Sequence, residues 1–432
     1  MPLIHWPNLR FEDQLSGRTT AGGESLRRLT AELAVQCGLA ADVGDVVLVE
    51  EDGIPGQLPE CLQHVRFLTK AEIQRELLRE SLRDRWQLQP WGWSCAAAEL
   101  VKELALSQPL PDPDAIRRVN TREFAAEFDV LMEVPEMATE PDKPGRSDTR
   151  PGVPAFSRLC YTDREVQSAI FEFAERDTGR WVIKANVSHA ARNRLLGAGR
   201  GLTDAQRSWL ASRFSRGEAV SVEPWVVRLG ECGLQWTIAE QSGGCGLRFE
   251  GAAEMLTDAG GQYRGSVICG VEISQGRSCW WQAAVEHGRH VATAAASLGF
   301  RGALGIDCML IELNGRHFLR PCHDINGRQT MGRLSLRLKS RVPDRWYGAW
   351  CHISEKSAAK KPDFPGRFDD SEVWSVTTSP AQVGGHTCLL QTRLLFSQNR
   401  DRVIGEAVRQ SGAIFPATCL AGGKLVQDET DR

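Results

Sequence analysis

The sequence predicts an α/β protein, with a parallel-sheet domain at its N-terminus and a β-rich region behind it. Two observations predict the first part: short apolar strands alternate with amphipathic helices up to about residue 115, and a proline-rich segment then breaks the chain. One observation predicts the second. From residue 218 onward strand-like segments recur, and two of them are joined by Asn314-Gly315.

In the first 115 residues, "DVVLVEE" (45–51) reads as a strand, and "SLRRLTAELAVQCGL" (25–39) and "TKAEIQRELLRESLRDRW" (69–86) read as helices. "QPWGWSCAAAELVKELAL" adds a further amphipathic helix behind Trp91 and Trp93. "SQPLPDPDA" (107–115) is the first boundary, because its prolines continue neither a helix nor a central strand. "EMATEPDKPGRSDTRPGVP" (136–154) reads as a linker or loop. Beyond it, "RWVIKANV" (180–187) is a strand, "TDAQRSWLASRFSRG" (203–217) a helix and "EAVSVEPWVV" (218–227) a strand. Strands at 234–241, 246–255 and 264–273 and a helix at 282–300 lead to the Asn-Gly pair. A tail from about 341 holds the lysine-rich "SEKSAAKKPDFPG" and a last strand, "HTCLLQTRLLFS".

Composition excludes several functions. A net charge of −3 over 432 residues carries no footprint of a nucleic-acid or membrane-surface binder. No apolar run approaches the ~20 residues that span a bilayer, and the first residues do not form a secretory leader, so a cytoplasmic protein is expected. The 13 cysteines, scattered without a C-x-x-C pair, fit reduced thiols. His287 and His290 share a helical face but lack a third ligand for zinc. Cys322 and His323 are strand neighbours that point to opposite faces, which argues against a nucleophile–base pair.

Asn-Gly is the signature of a two-residue hairpin turn. Pairing outward from it sets Asp307 opposite Cys322 and puts both on one face with Asp324 and Asn326. Converging carboxylates repel unless a cation lies between them, and two acids with an amide suit Mg²⁺ or Mn²⁺. Arg328 would offer a rigid fork of donors to a phosphoryl or carboxylate group. The residues allow a second reading equally well, in which Asp324 and Asn326 cap the helix "RQTMGRLSLRLK".

The order of these parts resembles the ATP-grasp superfamily, in particular its carboxylate–amine ligases with a preceding α/β domain. "GFRGALGIDCMLIE" and "LRPCHDINGRQTMGR" carry the likeness most strongly, and "PWGWS" adds to it. The resemblance implies three divisions. These are a pre-ATP-grasp-like domain at 1–115, a two-lobed α+β ATP-grasp domain at 116–340 with its lid at about 150–225 and its metal-site lobe at about 226–340, and a C-terminal extension at 341–432.

It also implies roles. Lys184 would reach ATP phosphates; Glu223, Pro224 and Trp225 would form the adenine hinge; Glu231 would contact the ribose; and Arg122 would be a first phosphate contact. Asp307, Asp324 and Asn326 would hold the metal, and Arg328 would face the reacting acyl phosphate, with Lys184 and Arg328 as the catalytic pair. There are departures: Asp324 stands where a glutamate is usual, and "VSHAARNRLLG" (187–197) lacks the glycines of a phosphate loop, so Arg192 and Arg194 would hold phosphate by side chain and His189 is a loop residue. The partners expected are ATP and small carboxylate and amine substrates, no nucleic acid and no membrane, with a homodimer left open. The function implied is amide or peptide bond formation through an acyl phosphate. Two other readings stand beside it: a catalytically silent nucleotide-binding regulatory or scaffold module, and phosphoryl transfer to a different acceptor.

Overall fold

The structure, a computed structural model, describes residues 1–17, 23–79, 85–134, 156–175, 178–187, 193–241, 244–269, 278–353 and 373–414. The expected linker at 136–154, the lysine-rich segment, His189 and Arg192 lie outside the described residues.

Leu3–Trp6, Val46–Leu48, Arg66–Leu68 and Gln87–Pro90 form the expected parallel sheet, in the order Arg66–Leu68, Val46–Leu48, Leu3–Trp6, Gln87–Pro90. Ile4, Val46 and Val47 are buried, as central parallel strands covered on both faces require. Helices Glu24–Gln36 and Lys70–Arg79 connect strands of this sheet, and Cys95–Glu103, capped by the Ser94 hydroxyl, follows the last of them. The chain steps outward in one direction from Leu3–Trp6 and then returns to its other side, so the topological switch lies between Leu3–Trp6 and Gln87–Pro90. Gln87–Pro90 is an edge strand, and the Gln108 amide serves it as a substitute neighbour: Nε2 donates to the Leu88 carbonyl at 3.1 Å while Oε1 accepts from the Leu88 N–H.

The "PWGWS" segment closes this switch. Asn8 donates to the Gly92 carbonyl at 2.7 Å and accepts from its N–H at 3.1 Å. A Cβ at Gly92 would lie 2.5 Å from the buried Phe11 ring. Gly92→Ala is therefore expected to destabilise the fold by about 1–3 kcal/mol, read as a lower urea midpoint, because Phe11 has no room to yield.

A smaller antiparallel sheet follows, in the order Arg158–Cys160, Val220–Pro224, Arg180–Ala185, Arg194–Ala198. Helices Asp163–Phe173 and Asp204–Phe214 each begin with a capping box, and Ile170, Phe173, Trp181 and Leu210 fill the space beneath them. The run expected as one strand over 218–227 divides at Pro224, the last residue paired with this sheet; Val227–Gln241 belongs to another. Proline has no N–H to extend the ladder, and the chain crosses there.

That other sheet has nine strands among the described residues, all paired antiparallel. Their order is Trp374–Thr377, Gln391–Ser397, Tyr347–Ile353, Tyr263–Cys269, Gly244–Thr257, Val227–Gln241, Gly302–Leu313, Arg316–Asn326, Met132–Glu133. Helix Ser278–Ser297 covers one face, packing Val291, Ala292 and Ala295 on Leu234, Trp236 and Ile306. Three of the strands come from beyond residue 341, so that segment extends this sheet. No described helix is long and apolar enough to cross a membrane.

Candidate active site

The hairpin turns at Asn314 and Gly315, whose φ angles of 52° and 71° are those of the expected two-residue loop. The expected register holds from Leu313↔Arg316 to Met309↔Arg320 and then slips. Pro321, Cys322 and His323 stand against Cys308 alone, a bulge that Pro321 favours because it offers no N–H to the ladder. Asp307 consequently faces Asp324 and not Cys322. Cys322 turns into the apolar core beside Cys308 and leaves the face it was expected to share. His323 and Asp324 both stay on the site side.

Asp307, Asp324 and Asn326 thus converge. Asn326 Nδ2 donates to Asp307 Oδ2 at 3.1 Å. Burial, and then the charge of Asp324, push the Asp307 carboxyl up to about 7. A carboxylate pair so placed calls for positive charge, and two carboxylates with an amide oxygen are the hard donors that Mg²⁺ takes. The helix-cap alternative does not hold: Thr330 caps Met331–Arg337, accepting from Arg333 N at 3.1 Å, and Asn326 ends the strand.

Arg122 approaches from its own short helix, Arg122–Ala126, and grips Asp324 with both ends of its fork, at 2.5 Å to Oδ1 and 2.9 Å to Oδ2. Arg328 lies on the other side, at the switch of the parallel sheet. Its Nε donates to Glu12 at 2.6 Å, its Nη1 to the Gln329 carbonyl at 2.9 Å, and its guanidinium sits 5.9 Å from the Trp91 ring centre.

Lys184 lines a cleft between the two antiparallel sheets with Glu223, Pro224, Trp225, Glu231 and His323. Lys184 donates to Glu223 at 2.9 Å, and Arg320 donates to the same carboxylate oxygen at 2.8 Å. Burial works to raise the Glu223 pKa, yet Arg320 and Lys184 outweigh it and hold the carboxyl well below its ordinary value. Burial pulls the Lys184 ammonium down against the pull of Glu223. At the far end, the Trp225 ring stands 5.3 Å from Arg228 and 5.9 Å from Arg194, and Arg194 also donates to the Gly260 carbonyl across the cleft. Glu231 lies within a strand, where it accepts from Arg228 at 2.8 Å and Thr257 at 2.6 Å.

Sequence reasoning missed Arg320, Asp129, Glu12 and His323. Arg320 donates Nε and Nη2 to Asp129 at 2.6 and 2.9 Å, so a fully buried arginine ties Asp129 to Glu223. A lone arginine inside the apolar run "HFLRPC" was the available signal, of the same kind that singled out Lys184. His287 Nε2 donates to the Phe128 carbonyl at 2.9 Å as a structural contact, and no group of three His, Cys, Asp or Glu side chains fit for a metal occurs among the described residues.

No protein-family model matches the chain, and no curated protein matches it. Solved structures do. The biotin carboxylase–beta-gamma-ATP complex from Campylobacter jejuni matches at 11% identity and TM-score 0.50, over 95% of this chain and 91% of that one. N5-carboxyaminoimidazole synthetase from Staphylococcus aureus, complexed with ADP, matches at 11% identity and TM-score 0.47, over 94% and 96%. The first of these likenesses covers 95% of the chain, and the chain has the ATP-grasp fold.

Proposed function

We propose that the protein is an ATP- and Mg²⁺-dependent carboxylate–amine ligase that forms an amide or peptide bond through an acyl phosphate. The observation that carries this reading is the opposition of Asp307 and Asp324, with Asn326 bonded to Asp307, beside a cleft that holds Lys184. A stable fold gains nothing from two facing carboxylates, one of them buried, whereas a cation site needs them. Bound there, Mg²⁺ would neutralise the phosphate oxygens.

In this reading the γ-phosphoryl group passes to an oxygen of the substrate carboxylate and ADP leaves. The amine nitrogen then attacks the acyl carbon, phosphate departs, and the nitrogen gives up a proton. Lys184 neutralises phosphate charge, and Arg328 orients the acid undergoing activation. Pro224 and Trp225 form the base hinge, with Glu223 holding Lys184 in place beneath it. The small sheet, about 150–225, serves as a lid that keeps water from the acyl phosphate, residues 1–115 complete the substrate pocket, and 116–340 carry the chemistry.

Arg122 favours a second reading. It occupies both oxygens of Asp324, as a silent nucleotide-binding module would tolerate and a metal site must undo. Incubation with ATP, Mg²⁺ and a library of amino acids and small carboxylic acids separates the two. ADP release that requires both an acid and an amine is the expected result; nucleotide binding without ADP release across the library would establish the module.

A further inference from the structure

We infer that the acid substrate carries an amide group, as a short N-acylated or peptidyl acid does, and that this amide rests on the carboxamides of Gln87, Gln89 and Gln329 while the carboxylate meets Arg328. This rests on the reading that Arg328 orients the acid undergoing activation. A cavity of about 190 Å³ lies between the edge strand Gln87–Pro90 and the end of the hairpin, lined by these four side chains together with Trp93 and Phe300.

None of the three carboxamides makes a hydrogen bond to a described residue. Gln329, only 7% exposed, keeps its Oε1 buried without a partner. Buried polar groups of that kind are rare in a finished fold and point to a partner that arrives later. A carboxamide both donates and accepts, so a cluster of them matches a peptide group, which does the same, better than a bare carboxylate or phosphate, which only accepts. The wall of the cavity already contains such a match, because Gln108 docks on the Leu88 backbone through both ends of its amide. Among the described residues that line the cavity there is no aspartate or glutamate to hold an ammonium, and Arg328 is the cation. Glu12 holds its Nε and the Gln329 carbonyl its Nη1, which leaves Nη2 for a carboxylate.

The test is calorimetric titration of the full chain, in the presence of ADP and Mg²⁺, with propionate, alanine, N-acetylalanine and N-acetylalaninamide. N-acetylalanine, which alone has both the amide and the carboxylate, should bind about tenfold or more tighter than the other three, as a site built to hydrogen-bond its ligand rejects analogues that lack a group. Gln329→Leu should weaken N-acetylalanine about three- to tenfold and leave propionate unchanged. Gln89→Leu, at a half-buried strand position, is the second variant if the first folds poorly and should show the same selective loss. Propionate or alanine binding as tightly as N-acetylalanine overturns the inference, as does the absence of binding by every probe or full discrimination surviving in both variants. ADP release that needs an acid and an amine but shows no preference for N-acetylalanine also overturns it, while leaving the ligase reading intact. Binding of N-acetylalanine that depends on Gln329, without ADP release from any acid and amine mixture, supports the amide-acid pocket and removes the ligase reading instead.

Discussion

Arg320→Met should lower folding stability by about 3–5 kcal/mol, the scale on which removing one partner strands a buried charge. Arg320 is 2% exposed and spends its fork on two carboxylates, Asp129 at 2.6 and 2.9 Å and Glu223 at 2.8 Å. Asp129 would keep only the Ser157 N–H and hydroxyl, at 2.8 and 2.5 Å, and Glu223 would keep Lys184. Methionine fills much of the volume, so the deficit is electrostatic. Arg320→Lys retains the charge but not the two-pronged geometry and should fall between. Urea unfolding checks this through a shifted midpoint at unchanged slope; a loss below about 1 kcal/mol would refute it, since that is the scale of an exposed pair.

The same network sets a pH dependence. Glu223 has a depressed pKa in the folded state, so its contribution is complete above the ordinary carboxylate range near ~4.3 and is lost as pH falls through the lower folded value. The stability difference between the parent and Arg320→Met should therefore narrow on acidification.

Asp324→Asn should reduce acid- and amine-dependent ADP release about 10²- to 10³-fold, the loss expected when several kcal/mol of charge stabilisation disappear. The far-ultraviolet dichroism should not change, because Thr330 caps the following helix and the hairpin is held by its own ladder. Asp307→Asn should lose activity to a similar degree while raising metal-free stability by roughly 1–2 kcal/mol, since it removes a buried carboxyl opposed to another. Activity and stability moving in opposite directions is the signature of a cation site. Full turnover in either variant would remove the metal assignment.

The parallel sheet and the hairpin loop were legible because both rest on local chemistry: apolar periodicity in one case and the positive φ of Asn314 and Gly315 in the other. The facing of Asp307 and Asp324 was legible only in part. Counting outward from the loop gave the correct face for both carboxylates, but a bulge is a ladder event decided by how Pro321 and its neighbours pack, and regular pairing does not anticipate it. The Glu12–Arg328 pair joins residues 316 positions apart. Nothing in either neighbourhood marks it, because the contact exists only once the parallel sheet docks on the hairpin. Arg320 was overlooked for a related reason, as its partners Asp129 and Glu223 stand on separate elements with no shared spacing.

The nine-stranded sheet draws Met132–Glu133 to one edge and places Tyr347–Ile353 and Gln391–Ser397 toward the other. On a ribosome, then, the hairpin that carries Asp307 and Asp324 can form early from adjacent residues, but the sheet around it stays open until residue 397 has emerged. Contacts of such long sequence separation close slowly. Until residue 353 has emerged the strand Tyr263–Cys269 has no neighbour on its outer side, and from then until residue 397 the open edge is Tyr347–Ile353, which makes this the stage of synthesis most exposed to misassociation with other nascent chains.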